Sequence, residues 1–152
     1  MQRLILIVLL TVAACGKPQA PVAPLDEDDV SRAIALRVEE GEGTTIDLAA
    51  LAPFDWTRFC AFHPYTTQTM AEEALGFRWP YEWSSVEHLD DRNYLVFLKD
   101  EDVVAAFDHP RGEGDFASFR ATCVARQDAK FIVAQQGKSV SGKPFLVLRQ
   151  QS

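Results

Sequence analysis

The residues able to do chemistry are few and scattered. The histidines are His63, His88 and His109. None lies in a His-Glu-x-x-His pattern, and none stands at metal-ligand spacing from another, so no metal site is expected. His88-Leu89-Asp90 and Asp108-His109 each set a carboxylate beside an imidazole, the pair that orients a general base. No Gly-x-Ser-x-Gly elbow accompanies them, and Asp beside His is common on polar loops. Glu72 and Glu73 are adjacent on a helix-patterned segment, so they point to different sides and cannot share a substrate. Gly112-Glu113-Gly114 lacks the Lys and Ser/Thr of a phosphate loop. No catalytic residue, metal ligand or cofactor is assigned from this set.

The leader is far more specific. Arg3 is followed by eleven apolar or small residues, Leu4 to Ala14, and then by Cys15. As a helix that run spans roughly 16 Å, against about 30 Å for a bilayer core, so it has the length of a signal-peptide core and not of a membrane span. Val12-Ala13-Ala14-Cys15 resembles the lipobox of bacterial lipoproteins. The resemblance implies cleavage after residue 14 and a lipid, with palmitate-type acyl chains, on Cys15. Gly16 after the cysteine implies the outer membrane, facing the periplasm. The alternative is an ordinary secretory leader with an incidental cysteine.

Cleavage would leave Cys15 to Ser152, the length of one domain. The whole chain carries −7, and losing Arg3 would leave 14 basic against 22 acidic residues. Such an excess argues against nucleic acid and anionic head groups as partners of the folded part. Cys60 and Cys123 remain after lipidation of Cys15. In an oxidising compartment a structural disulfide between them is the expectation, two buried free thiols the alternative.

Around these residues the chain reads as one domain, residues 30–152, behind a tether, residues 15–29. Pro18, Pro21 and Pro24 disfavour helix and pairing there; an extended tether would hold the domain roughly 30 Å from the bilayer. Asp28 to Glu40 is expected as a helix with Val30, Ala33, Ile34 and Val38 on one face and Gly41 at its end. Thr44 to Leu51 starts as a strand. Trp56 to Phe62 reads as a buried strand stopped by Pro64. A helix capped by Thr66 or Thr67 carries Met70, Ala71, Ala74 and Leu75 and ends at Gly76. Phe77 to Trp83 packs four rings into seven residues. Trp79, Tyr81 and Trp83 are the candidate binding surface, a stacking platform for a sugar or peptide; the competing and favoured reading is a loop folded over the sheet edge. Tyr94 to Lys99 and Asp102 to Asp108 form a hairpin across Asp100-Glu101. Phe116 to Val124 fits a helix or a loop. Lys130 to Gln135 and Pro144 to Arg149 are two further strands. The expected class is α+β: an antiparallel sheet of five or six strands with two helices.

Trp56, Pro64-Tyr65-Thr66 and Leu75-Gly76-Phe77-x-Trp79, with the leader, resemble a group of small bacterial lipoproteins of unknown function. The resemblance supports the architecture and carries no mechanism. Thr57 stands where such relatives often have Asp. Ser141-Gly142-Lys143 is similar to the inhibitory loop of acidic periplasmic lysozyme inhibitors, although a mid-chain helix does not suit their all-β barrel. The leading functional expectation is a non-enzymatic envelope lipoprotein that binds a protein or cell-wall partner. The alternatives are a small envelope hydrolase using His88, Asp90 or His109, and an acidic inhibitor of a basic enzyme such as lysozyme.

Overall fold

The computed structural model describes residues 27–119, 122–138, 140 and 142–151. The expected leader, Cys15 and most of the expected tether lie outside them. Helix α1, Glu27–Glu39, begins inside the expected tether. Its Val30, Ile34 and Val38 are buried at i, i+4 and i+8, the stripe that an amphipathic helix lays on a core.

Among the described residues the fold is α+β, with three α-helices and seven strands in two antiparallel sheets. The expectation of one sheet and two helices is corrected on both counts. The extra helix is α2, Leu48–Leu51, which follows β1, Thr45–Asp47. The Asp47 carboxylate accepts the Ala49 N–H at 3.0 Å and turns the chain out of the strand. Of the remaining elements, β2 is Arg58–Phe62, α3 Gln68–Leu75, β3 Arg92–Lys99 and β4 Asp102–Pro110. The last strands are β5 Cys123–Ala125, β6 Lys130–Lys138 and β7 Pro144–Gln150. Phe116–Ser118, within the ambiguous stretch, is a 3-10 turn, and β5 follows it.

One sheet has the order β1-β6-β7, the other β4-β3-β2-β5. The second sheet is buried on both faces, because β2 and β3 are apolar at successive positions and the pleat sends alternate side chains to opposite sides. Phe59, Ala61, Leu95 and Phe97 meet Ile34, Ile46, Phe131 and Leu148 in a core between the sheets. Cys60, Phe62, Val96 and Leu98 face the other way, under Ala71 and Leu75 of α3 and under Trp79 and Val86. The sheets are stitched at Asp115, whose N–H donates to the Leu146 carbonyl (3.2 Å) and whose carbonyl accepts from Leu148 (2.7 Å).

Cys60 and Cys123 are opposite each other on β2 and β5 and form a disulfide, with Cα atoms 4.0 Å apart. The cross-link ties a three-residue edge strand to the centre of its sheet.

Candidate functional site

A groove of about 610 Å³ runs between α1 and β4. Ser31, Arg32, Ala35, Leu36 and Glu39 of α1 form one wall. Ala106 to Asp108 and Pro110 of β4, with Ser84, Tyr94 and Glu113, form the rest. Leu36 is 57 % exposed at its mouth.

The floor of the groove is a sheet edge. β4 pairs with β3, and among the described residues nothing pairs with its other side. Arg111 N–H donates to the Asp91 carbonyl at 2.9 Å in the β3–β4 register. The antiparallel alternation then makes Asn93/His109 and Leu95/Phe107 the bonded pairs, and turns the backbone groups of Ala106 and Asp108 outward. Pro110 falls on the same outward phase, where a missing N–H costs no ladder bond.

The side chains of β4 are sorted by the same alternation. Asp108, on the face covered by the lid of α3, Trp79 and Val86, accepts from Ser84 and Ser85 hydroxyls and from Arg92 Nη1 (3.2 Å). The hydrogen bonds that Arg92 donates to Asp91 and Asp108 raise its pKa above the ordinary value, so this guanidinium is a fixed charge. His109, on the core face, is completely buried, and its Nδ1 lies 2.7 Å from the Ser31 hydroxyl. Its Nε2 has no hydrogen-bond partner among the described residues. Burial pushes the imidazole pKa down to about 4, against the pull of the Glu113 and Gly114 backbone and the Asp115 charge. The ring is therefore neutral at neutral pH.

Behind His109 lies a buried polar seam. Asp115, fully buried, accepts from Arg111 Nη2 (2.8 Å), Asn93 Nδ2 (3.2 Å) and the Ala117 N–H (2.9 Å). A buried carboxylate needs such partners. The hydrogen bond to Asp115 raises the Arg111 pKa. His63 joins the far side, its Nε2 3.1 Å from the Phe119 carbonyl and its Nδ1 3.4 Å from Asn93 Oδ1.

The sequence-derived candidates are not gathered into this place, with the exception of His109. His88 and Asp90 are exposed, and no hydrogen bond or ion pair joins either to His109 among the described residues. Trp79 is 5 % exposed and Trp83 half-buried; both indole N–H groups are used, on the Glu82 and Thr66 carbonyls. These two rings cover the sheet, and of the trio only Tyr81, 43 % exposed, presents a large open surface. Glu72 helps to hold the lid by accepting the Trp79 backbone N–H at 2.9 Å. The Gln68 and Trp79 bonds lower the Glu72 pKa. Ser141 lies outside the described residues, while Gly142 and Lys143 are exposed in the β6–β7 connection. Sequence reasoning missed Ser31, Asn93, Arg111 and Asp115; only Asp115, two residues before the N–H it accepts, carried a local capping signal.

No group of three or more metal-ligating side chains is present among the described residues. No described helix is long and apolar enough to cross a membrane. No protein-family model, curated protein or solved structure matches the chain.

Proposed function

We propose that the protein is an envelope lipoprotein, held by lipid on Cys15 at the outer membrane and facing the periplasm, whose domain binds a partner without catalysis. The observation that carries the binding role is the outward-facing stretch of β4 lying in the groove beside α1. Edge backbone groups of that kind recruit a further strand. The Cys60–Cys123 disulfide supports an oxidising compartment. The lipobox-like residues Val12 to Cys15 support the anchor.

The binding role is tested with a photo-crosslinking amino acid at position 36 in the full chain, in intact envelopes. A partner adduct is expected from position 36 and not from position 70, where Met70 is equally exposed on α3. Equal adducts from both positions, or none from position 36, would remove the groove from the reading. The anchor is tested by metabolic labelling with an alkyne palmitate analogue. Label is expected in the wild type and absent in Cys15→Ser.

A hydrolase is the second reading, favoured by the 2.7 Å contact of Ser31 with His109 at the groove wall. It ranks behind binding because an imidazole with a pKa near 4 is a weak base at neutral pH. In addition, no carboxylate bonds its other nitrogen among the described residues. Covalent labelling of Ser31 by a fluorophosphonate would reverse that ranking.

A further inference from the structure

We infer that the occupant of the groove is an extended, basic peptide segment that adds to β4 as a new edge strand. The inference rests on the groove reading above and specifies the chemistry of the partner.

Backbone geometry sets the binding mode. Ala106 and Asp108 offer outward N–H and C=O groups, and Pro110 ends the row of donors. From Ala106 to Pro110 a strand covers roughly 13 Å at about 3.3 Å per residue. The complementary segment therefore pairs over about four residues.

Charge sets the sign. Glu39, Glu113 and Asp108 line the groove against Arg32. Asp108 shares the Arg92 guanidinium with Asp91. Glu39 and Glu113 are exposed and have no ion pair among the described residues. The chain as a whole carries −7. A cationic side chain entering the groove meets two carboxylates with no ion pair among the described residues, Glu39 and Glu113, which flank the contact of Val38 with Gly114, whereas a second copy would bring a further net negative charge. Leu36 and Ala35 of the α1 wall offer an apolar contact beside these carboxylates. The preferred segment alternates Lys or Arg with an aliphatic residue, the period of a strand.

The test uses the full chain in detergent micelles and fluorescein-labelled heptapeptides. The probes are Lys-Val-Lys-Val-Lys-Val-Lys, its Glu-for-Lys counterpart, and the basic peptide N-methylated at alternate backbone nitrogens. Fluorescence anisotropy at physiological salt is expected to show binding of the basic peptide alone. N-methylation should weaken it at least tenfold, since charge is kept and the strand bonds are lost. Glu39→Lys with Glu113→Lys should weaken it about tenfold while the melting temperature is unchanged. Equal binding of the N-methylated peptide would overturn strand addition. Preference for the acidic peptide, or no effect of the charge reversals, would overturn the basic partner. A crosslink at position 36 in envelopes without binding of the basic peptide would leave the groove reading intact and defeat this inference. Doubling of the protein's mass with concentration, abolished by Ala106→Pro, would assign the edge to a second copy instead.

Discussion

The four-stranded sheet has two edges, and the protein treats them in opposite ways. The β5 edge is three residues long, and the disulfide fixes it to β2. The β4 edge is nine residues long and is left with outward backbone groups along the groove. Long open edges invite pairing with other chains, and proteins commonly blunt them with short strands, prolines or cover. Here Pro110 limits the β4 edge at one end and α1 stands beside it. The helix is held there by its buried stripe of Val30, Ile34 and Val38, by the Ser31–His109 contact, and by the close approach of Val38 to the Gly114 backbone. One edge is closed by a bond that does not respond to pH. The other is walled by an element whose one polar tie to β4, among the described residues, is a buried, neutral histidine.

The largest expected effect is at the closed edge. Replacing Cys60 and Cys123 by Ala removes a cross-link between residues 63 apart. The chain-entropy model gives about 4 kcal/mol for such a loop. The melting temperature should fall by on the order of 10 °C, with peptide binding at the β4 groove preserved. Loss of binding in the reduced or Ala-substituted protein would show that the two edges are coupled through the sheet.

The next effect is at the open edge and depends on pH. The folded-state pKa of His109 is depressed to about 4 from 6.5, so between these values the unfolded chain binds the extra proton. Stability from this group is complete above pH 6.5 and is lost as pH falls towards 4, by about 3 kcal/mol in total. Denaturant melts of the wild type and His109→Phe across this range should separate the effect. The wild type should show the steeper decline, and identical slopes would mean that His109 is not buried in the neutral form.

Gly114 comes third. Its φ is +131°, and a Cβ there would stand 2.9 Å from Val38 Cγ2 and 3.5 Å from His109 Nε2. Gly114→Ala should therefore cost about 2 kcal/mol, through strain and through displacement of α1. Gly112→Ala, in the same turn with open space around it, serves as the control. Equal melts for the two variants would show that α1 does not depend on this approach.

The smallest effect is at Ser31. Ser31→Ala leaves the buried His109 Nδ1 without its partner, which costs about 1 kcal/mol. A loss near zero would mean that water replaces the hydroxyl from the groove side.

Much of this architecture is written in local pattern. Val30, Ile34 and Val38 mark α1 by helical spacing, and Thr67 and Gly76 bracket α3 as its caps. The hairpin of β3 and β4 follows from two apolar runs around Asp100-Glu101, with Asp100 at φ 56° in the turn. These features depend on residues a few positions apart, and short-range geometry is enough to read them. The leader proposed to end at Cys15 rests on the same kind of short-range reading, of length and composition.

What only the tertiary structure decided depends on pairs far apart in the chain. The antiparallel pattern could not say that seven strands divide into two sheets, because apolar runs do not name their neighbours. Cys60 and Cys123 were visible as two thiols, but only the β2–β5 register placed them opposite each other. Ser31 and His109 are 78 residues apart, and Asn93 and Asp115 are 22 apart; their contacts come from α1 settling beside β4 and from the stitch at Asp115. The four rings between Phe77 and Trp83 offered a platform or a cover. Trp79 and Trp83 became cover because carbonyls of Glu82 and Thr66 were within reach of their N–H groups, which let the rings leave water without leaving a donor unpaired.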